Sequence, residues 1–250
     1  MKIKLLFSFL LVALSVSVVA SGPVKEPIRI LVITGGHDYP KEQFNQMLAA
    51  LGNNITYRIA ELPAAYDMFL PQNRNKYDVL VFYHMWQEIS DEQAGNFSEC
   101  IRDGKPLVAL HHSICAYDNW PEYINIIGGK YFHKATVING KEYQACSYIH
   151  DVHFKVKIVD KGNPVTKGVK DFEIFDETYK GFYVEEGVIP LLKTDDPGST
   201  PVIGWSKKYG KSRIVTLQSG HDVPTFINPD FRKLLRQSIE WVYNSGKISE

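Results

Sequence analysis

Histidine recurs where strands should end. Gly35-Gly36-His37-Asp38 closes the first apolar run of the chain, His84 the third, His111-His112-Ser113 the fourth and Ser219-Gly220-His221-Asp222 a late one, so five of the eight histidines follow expected strands. Ligands of open parallel sheets bind beyond the carboxyl ends of the strands, which makes this rim the place to look for chemistry. An imidazole donates, accepts or ligates near neutral pH, and a carboxylate partner fixes its tautomer and raises its basicity. His37-Asp38 and His221-Asp222 set a carboxylate beside each ring in sequence, while Gly35-Gly36 and Gly220 remove side chains where a ligand would approach the backbone. Asp176-Glu177-Thr178-Tyr179, after the apolar Phe172–Phe175, adds two carboxylates and a phenol that suit a general acid, a general base or a metal site.

Each of these residues has a structural alternative. Asp38 stands just before Pro40 and an expected helix, so capping is an equal role for it. Strand alternation sends His111 and His112 to opposite faces and makes His111 the core member of the pair. His84 is as well suited to a buried hydrogen bond as to a ligand contact. His133, His150 and His153 lie in irregular or half-exposed segments, and acidic pairs such as Asp176-Glu177 are common on surface turns. A catalytic reading therefore requires His37, His112 and His221 to meet Glu177 in one open cleft.

The elements that must position these groups alternate between strand and helix, the pattern of βα units in a parallel sheet. Ile28–Thr34, Ile55–Glu61, Tyr77–Tyr83 and Pro106–Leu110 read as strands. Between them, Phe44, Met47, Leu48 and Leu51 recur at helical spacing up to Gly52, and Ser90 with Gln93 forms a capping-box signal opening a helix to about Asp103. The second half is less regular. Ser113 to Phe132 reads as a long loop with a short helix; Val152–Val159, Val188–Lys193, Pro201–Ser206 and Ser212–Gln218 read as strands. Asn228-Pro229 opens a closing helix with Phe231, Leu234, Leu235 and Val242 on its inner stripe.

Composition bounds the answer. With 28 Lys+Arg against 28 Asp+Glu, 44% hydrophobic residues and three cysteines in 250 residues, the chain is neither a nucleic-acid-binding surface, nor disordered, nor a disulfide scaffold. Lys2 and Lys4 precede an uncharged apolar run, Leu5 to Val19, that ends in Val18-Val19-Ala20, the features of a cleaved export signal over residues 1–20. The expectation is one domain over residues 21–250, periplasmic or extracellular, with no stable membrane insertion after cleavage. Neither repeat nor linker divides it.

Several of these stretches carry a resemblance. Gly35-Gly36-His37-Asp38, Leu110-His111-His112-Ser113, Gly128-Gly129-Lys130-Tyr131-Phe132, Asp176-Glu177-Thr178-Tyr179, and Tyr209-Gly210-Lys211 leading to Gly220-His221-Asp222 follow the order and approximate spacing of the ThuA-like (trehalose utilisation) family, which the chain resembles from about Ile28 to Ser245. The resemblance implies an α/β fold, flavodoxin-like or class I glutamine amidotransferase-like, with a mostly parallel sheet and helices on both faces. It also implies a link to trehalose and related disaccharides, including sugars oxidised at C3. True amidotransferases carry a nucleophilic Cys on the sharp turn after a central strand. Here that turn reads His111-His112-Ser113, with Cys115 two residues beyond, which argues against glutaminase activity. The family's frequent His-Pro after the middle strand reads Asn163-Pro164, so no role passes to that position.

Three functions compete. The first is an enzyme acting on an oxidised sugar or glycoside, in which His112, His221 and Glu177 do the chemistry and His37, Asp38, His84, Ser113, Tyr179 and Asp222 line the ligand. A C3 ketone acidifies the neighbouring C–H, so a base removes that proton while a second group stabilises the enolate, leading to isomerisation or elimination. Two histidines with a carboxylate are a recognised divalent-metal set, and the sequence leaves metal-assisted and purely acid–base chemistry both open. No nucleotide is expected. The second function is a non-catalytic carbohydrate-binding or accessory protein, with Trp86, Tyr117, Trp120 and Tyr179 stacking on sugar faces. The third, a Cys115-dependent hydrolase, requires that thiol beside a histidine and an orienting acid. Oligomeric state is not legible.

Overall fold

Every residue of Ile28–Gly35 except Arg29 is buried, which demands cover on both faces of this strand. The computed structural model describes residues 26–244. The expected export signal lies outside the described residues. Among the described residues no helix is long and apolar enough to cross a membrane.

The first half builds β1 (Ile28–Gly35), α1 (Lys41–Ala49), β2 (Ile55–Glu61), β3 (Val79–His84), α2 (Asp91–Arg102) and β4 (Leu107–Leu110). Next come α3 (Glu122–Ile127), β5 (Gly129–Lys130), β6 (Thr136–Ile138), β7 (Lys141–Tyr143), β8 (Ser147–Ile158) and β9 (Phe172–Lys180). The chain ends through β10 (Tyr183–Val184), β11 (Ile189–Lys193), β12 (Val202–Tyr209), β13 (Ser212–Leu217), α4 (Val223–Ile227) and α5 (Pro229–Tyr243). Nine strands form one sheet in the order β2-β1-β3-β4-β13-β12-β11-β8-β9. The first five are mutually parallel and the rest continue antiparallel. Alternation along β1 sends Ile30 and Val32 to a core shared with α1 and α5, and Leu31 and Ile33 to a core shared with α2 and α3. Helices thus cover both faces. Because β1 lies between β2 and β3, the winding direction reverses there, and the crevice beyond the carboxyl ends opens at that switch.

Ser90 caps α2 with the expected reciprocal box, and Asn228 caps α5 by accepting from Asp230 and Phe231 N–H. Gly128-Gly129 clears room for the fully buried Trp205: a Cβ on Gly129 would stand 2.6 Å from its indole. The second half departs from the sequence reading in three places. Asp176–Tyr179 is not a surface turn but the buried end of β9, whose carboxylates find partners that override their poor strand propensity. β8 begins at Ser147 rather than Val152, through a bulge between Ile149 and Val152 where Asp151 takes φ +59°. Asn139 and Gly140, both at positive φ, turn the unforeseen β6–β7 hairpin.

Candidate active site

The site is organised around two neighbouring carboxylates on β9. Asp176 is structural. Its Oδ2 accepts from Gly220 N–H at 2.8 Å and its Oδ1 from His221 and Glu177 N–H, each at 2.9 Å. That ties the loop after β13 to β9 and brings His221 to Glu177. Gln218 adds a second tie, donating from Nε2 to the Glu177 carbonyl at 2.9 Å.

Glu177 is the centre. Its Oε2 lies 3.1 Å from His111 Nε2, 3.3 Å from His221 Nδ1 and 3.6 Å from His112 Nε2, and its Oε1 lies 3.4 Å from His150 Nδ1. One ligand atom from each of His111, His112, Glu177 and His221 falls within 4.8 Å of all the others. His37 joins at the edge, its ring 4.4 Å from that of His112 and its Nε2 3.0 Å from the Tyr83 carbonyl. His112 and His221 therefore meet at Glu177, while His37 stands one ring further out, against His112. The cluster opens to solvent through His221 and the half-exposed His150.

His111 corrects an expectation. It occupies φ +45° directly after β4, and this turn ends the strand alternation that would have separated the two rings; His111 and His112 instead lie with centroids 3.8 Å apart. Such backbone costs about 1–3 kcal/mol and persists only where its surroundings impose it. His111 Nδ1 is 2.7 Å from the Gln218 carbonyl, which can only accept, so Nδ1 carries the proton. The ring's Nε2 faces Glu177 Oε2, His221 Nδ1 and, at 3.2 Å, the Tyr179 hydroxyl, and without a second proton would set a lone pair against them. Tyr179 gives its one proton to Glu177 Oε2 at 2.7 Å. A lone pair set against a carboxylate oxygen calls for positive charge between them, supplied by a proton or a metal cation.

The titration directions follow. Burial would raise Glu177, but the contacts from His111, His112 and His221 hold it far below the usual carboxylate range. Burial, then the neighbouring His111, pushes His112 well down, and burial also lowers His37. Burial opposes charge on His221, but the Glu177 carboxylate, with Asp176 and Asp222, outweighs it and the ring is raised.

The other expected site residues lie elsewhere. Asp38 is exposed and α1 begins without a side-chain cap, while Asp222 caps α4 through Val223 N–H at 2.6 Å. Neither carboxylate bonds the imidazole before it in sequence: Glu177, distant in the chain, takes that place for His221, and His37 Nδ1 meets the Asp38 backbone carbonyl at 3.1 Å instead. His84 is fully buried among Phe82, Tyr117 and Tyr123, and neither ring nitrogen has a partner among the described residues. Ser113 is fully buried, its carbonyl taking the Tyr123 hydroxyl. His153 is exposed beside Glu173. Cys115 is buried, burial pushes its thiol up, and His133 meets its carbonyl rather than its sulfur. Of the four aromatics weighed for sugar stacking, Tyr117 and Tyr179 are buried, Trp120 packs against the α2–α3 core, and only Trp86 is largely exposed. Sequence reasoning missed His150, whose placement depends on the β8 bulge and left no signal in spacing. A cavity of about 600 Å³ between α3 and the β6–β7 hairpin lacks imidazoles, so chemistry and not volume locates the site.

A family model described as ThuA, trehalose utilisation, matches residues 29–242. A solved ThuA-like protein of Parabacteroides merdae is 19% identical, with a TM-score of 0.71 over 90% of this chain and 92% of that one. One from Bacteroides uniformis is 17% identical, with a TM-score of 0.64 over 89% and 94%. A glutamine amidotransferase of Thermotoga maritima is 12% identical, with a TM-score of 0.52 over 88% and 99%, and the fold is of that class I type. No curated protein matches.

Proposed function

Since the chain belongs to the ThuA trehalose-utilisation family, we propose that it is an exported enzyme that processes a glycoside bearing a ketone at C3, such as oxidised trehalose, by metal-assisted proton abstraction. The observation that carries this reading is the convergence of three imidazole nitrogens on one ionised carboxylate oxygen. His111, His112, Glu177 and His221 fit a divalent cation in donor type, and the Gln218 carbonyl already fixes the tautomer that turns His111 Nε2 inward. A cation held there would act as a Lewis acid on the ketone oxygen. The apolar run behind Lys2 and Lys4 supports export.

His150 is suited to move the proton. Its Nδ1 lies 3.4 Å from Glu177 Oε1, which turns Nε2 of this half-exposed ring toward the base role. That nitrogen takes the proton from C2, and the C–H pair spreads onto the C3 oxygen. As the pair returns, the C1–O bond breaks, and the departing oxygen recovers the proton from the imidazolium. The products are a free sugar and a C1–C2 unsaturated ketone.

The test is metal analysis of the purified protein together with NMR of trehalose and 3-keto-trehalose incubations. About one divalent ion per chain is expected, with turnover of the keto sugar only. Glu177→Gln should lose the metal and the activity; His150→Ala should keep the metal and lose roughly 10²–10⁴ in rate; Cys115→Ala should retain both. A metal-loaded protein that binds sugar without turning over either substrate would establish the accessory reading instead.

A further inference from the structure

A second feature lies along the same rim. A cavity of about 380 Å³, within the roughly 300–1,000 Å³ range of small-molecule sites, is lined by Trp86, Gln87, Glu88, Asp118, Asn119 and Lys134. Its Cys115 wall is three residues beyond His112, and Gln87 packs on Gly36 so closely that a Cβ there would stand 2.5 Å from Gln87 Nε2. The turn carrying Trp86 and the loop carrying His37 are therefore parts of one rim.

Trp86 is 52% exposed and holds φ +51°, so this side chain is displayed at the expense of backbone strain and without filling a core. Tyr117, on the cavity wall, also takes positive φ, at +61°. One side of the indole is braced by the His133 ring, with centroids 3.6 Å apart, and His133 Nε2 is anchored on the Cys115 carbonyl at 3.3 Å. Around this platform the polar groups are held in place. Asp118 is gripped at 2.6 Å by the buried Lys130, Asn119 donates to the Ile89 carbonyl at 2.9 Å, and Gln87 donates to the Met85 carbonyl at 2.9 Å. A braced aromatic face ringed by fixed carboxylate and amide groups matches a pyranose, whose C–H face is apolar and whose hydroxyls point outward. Aromatic faces carry negative potential that favours such C–H edges. Glu88 and Asp118 balance Lys134 and the Lys130 that grips Asp118, so no net positive charge draws a phosphorylated sugar.

We propose that this cavity binds the unoxidised ring of the disaccharide, stacking it on Trp86 while the ketone-bearing ring lies at the histidine cluster. The assignment rests on the glycoside reading above but concerns binding, which is measured without turnover. Calorimetric titration of the full protein with trehalose, with glucose and with trehalose 6-phosphate is the test, using Trp86→Ala, Asn119→Ala and Trp86→Tyr. Trehalose affinity should fall about tenfold in Trp86→Ala, fall in Asn119→Ala and return largely in Trp86→Tyr, with bound metal unchanged. For the keto disaccharide, Trp86→Ala should raise KM about tenfold and leave kcat within a few-fold. Equal trehalose affinity in wild type and Trp86→Ala, preference for the phosphorylated sugar, or no sugar binding by wild type would each overturn the subsite. Trp86-dependent binding without turnover would keep the subsite and remove the catalytic reading; turnover with unchanged KM in Trp86→Ala would do the reverse.

Discussion

His84 and His221 close two strands of one sheet, yet their surroundings drive them in opposite directions. His221 keeps a carboxylate neighbour and some solvent, and is raised. Burial, with smaller contributions from His37 and Lys130, pushes His84 down to about 3. Its cost appears on acidification. The unfolded chain takes up a proton at this ring near pH 6.5, while the folded one refuses it until about pH 3. Stability tied to His84 is thus complete above about pH 6.5 and falls by about 1.4 kcal/mol per pH unit below it, until the folded ring titrates. Urea denaturation of wild type and His84→Leu between pH 7 and 5 should show a shallower acid loss in the variant, the difference isolating this ring from the carboxylates. Removing two buried, unpartnered nitrogens should leave stability at pH 7 within about 1 kcal/mol. Parallel pH profiles would show that His84 finds a partner in solution.

At the scale of elements, the site depends on one strand crossing to the end of another, and Asp176 makes that join. Asp176→Asn keeps the shape but replaces a charged acceptor of three backbone N–H groups, so a loss of about 2–3 kcal/mol is expected in urea melts. His221 should loosen from Glu177 with it, lowering metal affinity as well; unchanged stability and affinity would refute the tie. This join was not legible in the sequence, and the reason is physical. The strands Ile28–Gly35, Val79–His84 and Leu107–Leu110 are covered on both faces, so their apolar runs announce them, and Ser90 with Gln93 announces α2. β9 hides because its buried end carries Asp176 and Glu177, residues of poor strand propensity whose carboxylates are held there by partners distant in the chain. His111 misled because alternation holds within a strand and fails at the positive-φ turn that ends it. The histidine rim itself was legible, since topology places strand ends together whatever the detail of each ring.

For the whole molecule, the four proposed metal ligands come from positions 111, 112, 177 and 221, groups that only the folded chain brings within 4.8 Å. A cation bound to them has no comparable site in the unfolded chain, so its binding energy adds to folding stability. At a free metal concentration about 100 times the dissociation constant, the gain is about 2.7 kcal/mol. For a chain of this size each kcal/mol moves Tm by roughly 2–4 °C, giving a shift of about 5–11 °C. The shift should appear when divalent metal is added to chelator-treated protein and disappear on renewed chelation. Glu177→Gln should abolish it, because the charged oxygen common to all the contacts is gone, whereas Trp86→Ala should keep it in full. If the positive charge at the centre is instead a proton shared among His111, His221 and Glu177, the melting curve will ignore metal and chelator alike, and His221 will carry the charge that holds the cluster together. Calorimetry at fixed pH, with and without chelator, separates the two states of the same constellation.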